Sequence, residues 1–263
     1  MALLACCLAV SGRAAEAPAT IVFQSTDTPP LWSPSLPDDG VGGAILRLLS
    51  ANAGVAYALE YLPVKRFRQS RAPYIVGDPD ILVHKRPRAV LPIGIFRSAF
   101  FFYRPHHDIH ALPGIRALRG WTLGVLRGTL ENPAYFLSNG LQVEESDSIE
   151  SLLRMLKRGR IDVCILVDAA GQYMIKRLFP DEQDRFAAIP IPVSERPLAL
   201  MIDVSQPGAR AVAERYRGAL RRTLESRQYA RILEGLYGKG RMPPDLPRLL
   251  QRFGRAYATE QER

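Results

Sequence analysis

The sequence predicts an α/β protein, and the clearest sign is the stretch from Ser148 to Asp168, SIESLLRMLKRGRIDVCILVD. Ile149, Leu152, Leu153 and Leu156 recur at i, i+3, i+4 and i+7, which puts them on one apolar helical face. Asp147 is placed to cap this helix with Glu150 reaching back, and Gly159 is placed to end it. IDVCILV is then an unbroken apolar run, the pattern of a strand covered on both faces of a parallel sheet. Asp168 closes that strand, and in open α/β sheets ligands sit outside the carboxyl ends of the strands.

The second sign lies just upstream. TLGVLRG (Thr122 to Gly128) reads as a strand, a helix opens near Asn132-Pro133, and LQVEES (Leu141 to Ser146) reads as another strand. The product is a β-α-β-α-β lobe with a right-handed parallel sheet. The turn at Gly128 and Thr129 offers free backbone N–H groups and the positive end of a helix, a natural anion site. Together with Asp168 it could hold a zwitterion. The plain alternative is an ordinary βα turn and a strand-ending aspartate.

The remaining segments fall into order around this lobe. IVFQSTD (Ile21 to Asp27) reads as a first strand, and a helix starts at Gly42 or Gly43 and runs to about Asn52, with Gly54 as its stop. AYALEYLP (Ala56 to Pro63) is a second strand and DILVHK (Asp80 to Lys85) a short third. AFFFYRP (Ala99 to Pro105) and PLALMID (Pro197 to Asp203) read as two crossings between lobes, so the chain leaves one lobe near Tyr103 and returns near Glu195. Helices from about Gly208 to Tyr237 pack back on the first lobe, and the tail after MPPDLP carries a short last helix.

In this order the segments resemble the family 3 extracellular solute-binding proteins, the periplasmic receptors of polar amino-acid ABC importers. Leu123 to Gly128 is similar to their "vgv..G(T/S)" strand, and Ser148 to Asp168 to their "s.e.ll..l..GRvDa...d" segment. TDTPPLWSPSLPDDGVGGAILRLLSANAGV, LPVKRFRQ and LRRTLESRQYARILEGLYG resemble other family segments, so the likeness spans roughly residues 20 to 238. It implies a bilobal, periplasmic-binding-protein-like (type II) α/β fold. The expected division is a signal peptide at 1–17, lobe 1 at 18–102, lobe 2 at 103–194, and a return to lobe 1 at 195–263.

The resemblance also implies site residues. Trp32 stands where the family places an aromatic that stacks on the ligand, while Tyr61 and Phe67 read as core. Arg88, or Arg86 beside it, fits the arginine of the family's "T-x-x-R", a bidentate clamp for a carboxylate. Lys85 occupies the place of the threonine, which speaks against an ordinary α-amino-acid ligand more than against the fold. With Gly128, Thr129 and Asp168, and Asp27 at the end of the first strand, these residues make the expected ligand site. No catalytic residue, metal or cofactor is expected.

Composition sets outer bounds. The chain has 263 residues, 47% hydrophobic and 23% charged, as in ordinary globular proteins. The net charge is +9, yet only 5 lysines occur and the arginines are spread along the chain with no basic block, so nucleic acid is not an expected partner. ALLACCLAV (Ala2 to Val10) is an export-type apolar segment, too short to span a bilayer, with cleavage expected after Ala17 or Ala14. Export to the periplasm is expected, with lipid anchoring at Cys6 as the lesser option. Beyond Cys6 and Cys7 there is only Cys164, which reads as a small buried hydrophobe.

HHDIH (His106 to His110) matches no metal-ligand spacing, and solvated linker histidines are the favoured reading. Gly40-Val41-Gly42-Gly43 lacks either nucleotide fingerprint and reads as close helix packing. The expected function is capture of a small polar or zwitterionic solute by hinge closure. Its partners would be that solute and the membrane subunits of an ABC importer, with the receptor a monomer. The rivals are an enzyme on the same fold, which would need acids such as Asp27, Glu131 and Asp168, and a sensory receptor.

Overall fold

The computed structural model describes residues 20–84, 86–130, 132–240 and 242–261, so the leader, Lys85 and Glu131 lie outside the described residues. Two five-stranded sheets carry the chain, each flanked by helices.

The first sheet begins with β1 (Ile21–Thr26), followed by α1 (Gly40–Ala53), β2 (Tyr57–Leu62), α2 (Val64–Arg68), β3 (Tyr74–Gly77) and β4 (Arg88–Phe96). β1 pairs in parallel with β2 and β3. β10 (Arg196–Asp203) arrives from the far end of the chain and lies antiparallel between β3 and β4, giving the order β2-β1-β3-β10-β4. β1, β2, β3 and β4 therefore all run one way, and their carboxyl ends share one edge of the lobe.

The second sheet has the order β7-β6-β8-β5-β9. Its strands are β5 (Ser98–Tyr103), β6 (Thr122–Leu126), β7 (Gln142–Ser146), β8 (Val163–Val167) and β9 (Phe186–Pro190). Between them stand α3 (Pro133–Ser138), α4 (Ile149–Lys157) and α5 (Asp168–Leu178). β6 pairs in parallel with both β7 and β8, as the β-α-β-α-β pattern requires.

Each lobe has its own core. Phe23, Ile45, Leu49, Ile93, Leu200 and Tyr216 are fully buried between sheet one and α1, α6 (Ala209–Leu224) and α7 (Arg227–Tyr237). α8 (Leu246–Gln261) lays Leu246, Leu249 and Leu250 against the same core. In lobe 2 the helical stripe Ile149, Leu152, Leu153 and Leu156 faces Phe101, Cys164 and Leu166. Cys164 is wholly buried and its thiol is pushed up by desolvation, which fits an inert core residue.

Several expectations need correction. Residues 80–84 form no strand, and Lys85 lies outside the described residues. The third strand is the earlier YIVG, and Pro79–Ile81 is a 3-10 turn whose Asp80 N–H is held by the Asp78 side chain at 3.0 Å. Ser148, not Asp147, caps α4 by accepting from the Ser151 N–H, while Asp147 is taken by Arg127. AFFFY and PLALMID are full strands of the two sheets, because each finds antiparallel partners on both sides. The chain passes between sheets at Arg97 and at residues 191–195, so the handover expected near residue 103 falls several residues earlier. The last helix is a long one that covers β4.

HHDIH is not simply solvated. The His107 ring stacks on Trp121 with centroids 4.0 Å apart, and its Nε2 lies 2.8 Å from Asp162 Oδ1. Asp162 also accepts from the Thr122 N–H at 2.7 Å, so this cluster ties the start of β6 to the loop before it. Among the described residues no group of side chains is arranged to hold a metal ion, and no helix is long and apolar enough to cross a membrane.

Candidate functional site

The two sheets aim their strand ends at each other. From lobe 1 come the carboxyl ends of β1, β3 and β4, and from lobe 2 those of β6 and β8. Between them lies a cavity of about 400 Å³, a size usual for small-molecule sites. The crossing segments form one wall. The Ser194 hydroxyl donates to the Ser98 carbonyl (3.2 Å) and accepts from the Ser98 N–H (3.1 Å), so one crossing is stitched to the other. Val193 lines the cavity from the second crossing at φ 55°, a left-handed conformation in which a β-branched side chain is strained.

The cavity walls are mostly apolar. Lobe 1 supplies Leu31, Trp32, Phe67 and Phe96, and lobe 2 supplies Leu126, Leu130 and Ile165. Thr26 and Thr28 share a hydrogen bond of 3.1 Å at the end of β1. Asp78 and Arg196 are the charged side chains on the walls among the described residues, and they are paired. Arg196 donates to Asp78 from Nε and Nη2, each at 3.1 Å, and its Nη2 lies 3.4 Å from Asp80. Burial pushes the Asp78 carboxyl up to about 6, although Arg196 and the Asp80 N–H oppose the shift.

A second cavity of about 600 Å³ adjoins the first, and Leu31 and Phe96 border both. α5 lines it with Asp168, Gln172, Tyr173 and Lys176, facing Val41, Tyr237 and Pro243 of lobe 1. Asp168 starts α5, its N–H donating to the Arg97 carbonyl at 2.8 Å.

The residues expected from sequence are thus separated. Thr129 lines the smaller cavity and Asp168 the larger one. The Thr129 hydroxyl donates to the Leu126 carbonyl of its own turn at 2.8 Å. The Gly128 N–H points to Glu145 Oε1 at 3.4 Å, so a carboxylate of the chain already occupies that donor. α3 begins only at Pro133, is six residues long and is capped by Asn132, so no helix end backs the turn. The Gly128 and Thr129 N–H groups read as an anion site are thus already engaged within the chain, by Glu145 and by the Leu126 carbonyl.

The arginine clamp is also absent from the cleft. Arg88 begins β4 and Phe96 ends it, and eight residue steps along the strand separate the two by roughly 26 Å. Arg88 therefore sits at the edge of lobe 1 away from the cleft, paired in register with Asp203. Its Nε and Nη2 are buried without a partner among the described residues, and burial lowers its basicity. Arg86 is at the same end, its Nη1 2.5 Å from Asp203. Burial alone would raise the Asp203 carboxyl, but the bonds from Ser205 and Arg86 win and hold it low. These residues are structural.

Trp32 borders the cavity but is only 2% exposed, with its ring packed on Gly42. Its indole N–H is buried with no acceptor among the described residues. Asp27 is exposed and outside both cavities. Sequence reasoning passed over Asp78 and Arg196, while Phe67, read as core, is buried and also borders the cavity. The signal for Asp78 was its place after a four-residue apolar strand, YIVG, where the strand-end rule already points.

This is the architecture of the bilobal periplasmic binding proteins: two α/β lobes, two short crossings, and a cleft at the strand ends. No protein-family profile matches the chain, and no curated protein matches it. Solved structures do. An ancestral arginine-binding protein bound to arginine aligns over 83% of this chain and 98% of its own at a TM-score of 0.64, with 14% identity. The arginine-, lysine-, histidine-binding protein ArtJ from Geobacillus stearothermophilus aligns over 86% and 98% at a TM-score of 0.64, with 13% identity. A histidine kinase sensor domain similar to periplasmic binding proteins aligns over 84% and 97% at a TM-score of 0.63, with 16% identity. At these identities the likeness establishes the fold, and it agrees with the resemblance read from the sequence motifs.

Proposed function

We propose that the protein is an extracytoplasmic receptor that captures a small solute between its two lobes and closes on it by bending at the crossings. The observation that carries this reading is the cavity itself. It lies between strand ends of two separately cored lobes, and the chain passes between them at Arg97 and at residues 191–195. A solute there would touch both lobes only when they are closed, which is the differential affinity that drives a population shift. Delivery to an ABC importer fits the amino-acid-binding proteins of the same fold. Signalling is the second reading, supported by the sensor domain of the same fold. Binding rather than catalysis is favoured because the charged pair of the cleft, Asp78 and Arg196, is spent on itself.

The test is a thermal-shift screen of amino acids, organic acids, polyamines and small neutral compounds, combined with dye-to-dye distances between the lobes. A ligand that binds only the folded state must raise the melting temperature. A hit should also shorten the interlobe distance, and Thr129→Trp, which fills the cleft from a half-buried turn, should abolish both effects. A library that leaves melting temperature and interlobe distance unmoved counts against the receptor reading.

A further inference from the structure

We infer that the interlobe cleft takes a small, uncharged, mainly apolar molecule carrying one oxygen acceptor, in place of a zwitterionic amino acid. The inference rests on the receptor reading above and gives its site a ligand class.

A zwitterion brings two charges out of water, and each needs a partner of opposite sign inside the cleft. The cleft offers neither in usable form. Its cation, Arg196, is held by Asp78 at 3.1 Å and lies 3.4 Å from Asp80, and its anion, Asp78, is the other half of that pair. To bind a carboxylate or an ammonium, this pair would have to be broken. Arg86 and Arg88 stand at the opposite end of the sheet, and Asp168 opens into the neighbouring cavity. The turn N–H that would have met a carboxylate points to Glu145 instead.

The same walls favour an apolar body. Trp32, Phe67 and Phe96 from one lobe face Leu126, Leu130 and Ile165 from the other, so closure would remove apolar ligand surface from water on both sides. Hydroxyls of Thr26, Thr28, Ser98 and Ser194 stand along the walls and can accept or donate, but they carry no charge. Of the buried side-chain polar atoms left unpaired among the described residues, only Trp32 Nε1 belongs to a residue lining this cavity. Indole is a donor only, so what it lacks is an acceptor.

The experiment compares probes that share one body. 3-Phenylpropan-1-ol, propylbenzene and L-phenylalanine are titrated against the exported chain by calorimetry, with thermal shifts run in parallel on the standard amino acids and on a set of neutral alcohols, ketones and lactams. The expected result is that the alcohol binds at least about tenfold more tightly than L-phenylalanine, because the latter leaves two charges unpaired. Propylbenzene should bind several-fold more weakly than the alcohol, and Trp32→Phe, which keeps a ring but removes the N–H, should reduce that difference, an unchanged difference counting against Trp32 as the donor. Since Trp32 is buried, Thr129→Trp provides a second variant, expected to block the alcohol while the fold's melting temperature is retained. If an amino acid binds more tightly than every neutral probe, the ligand class is overturned and the receptor reading stands. If neither set binds and the interlobe distance stays fixed, both fall.

Discussion

At the scale of single residues, Asp78 and Asp203 make opposite use of burial. Asp203 is fully buried, yet Ser205 and Arg86 stabilise its charged form, so its carboxyl is held low. Asp78 is raised to about 6 from 3.8, because desolvation outweighs its bond to Arg196. The folded state thus binds a proton at Asp78 more readily than the unfolded chain does, and stability must fall as pH rises between these values. The penalty is absent below about pH 4, complete above about pH 6, and of order 3 kcal/mol. Asp78→Asn should remove it. Urea unfolding at pH 4.5, 5.5 and 7 is expected to show the wild type losing ground to the variant as pH rises, and parallel profiles would contradict the assignment. Such residues were hard to read in advance. Arg88 matched a motif in one dimension, but its role depends on which end of β4 faces the cleft, and that depends on where β4 begins. The sequence between Gly77 and Arg88 did not reveal this.

At the scale of elements, the legible parts were those whose packing pattern is local. The stripe of α4, the stop at Gly159 with φ 66°, and the apolar run of β8 depend on neighbours within one turn or one strand. β4 was missed because Pro92 breaks the strand pattern, and it is tolerated there because β4 is the edge strand of its sheet and its register with β10 shifts at this point. β9 and α5 were missed for a related reason: their partners, β5 and its Phe101, are distant in sequence. The glycines of the first turn of α1 were read as packing positions, and the structure gives the reason. A Cβ on Gly42 would stand 2.5 Å from the Trp32 ring. Gly42→Ala should therefore cost about 1–3 kcal/mol through overpacking. Because the displaced group is a wall of the cleft, the variant should also weaken any cleft ligand. An Ala variant with wild-type unfolding midpoint in urea would mean that the loop carrying Trp32 gives way freely.

At the scale of the whole molecule, function depends on how the two lobes share the cleft in the closed state. Two contacts from α2 bear on this. Lys65 packs against Gly128 of lobe 2, whose φ of 80° suits a glycine, and the Arg68 guanidinium donates to the Gly128 carbonyl. The carbonyl and the arginine belong to different lobes, so this bond exists only when the cleft is shut. Arg68 is outside the cavity wall, so removing its side chain takes no contact from a bound solute. Its effect should come through the open–closed equilibrium alone. A hydrogen bond to a charged donor, partly exposed, is worth about 1 kcal/mol, so Arg68→Ala should lower the closed-to-open ratio about fivefold. Affinity for any solute that needs closure should fall by up to that factor, with the loss in dissociation rate and not in association rate. Interlobe dye distances without solute should lengthen on average, while the urea midpoint stays near that of the wild type. Were affinity to fall with no change in the distance distribution, Arg68 would have to act on the solute directly, and the latch between α2 and the Gly128 turn would be the wrong account of closure.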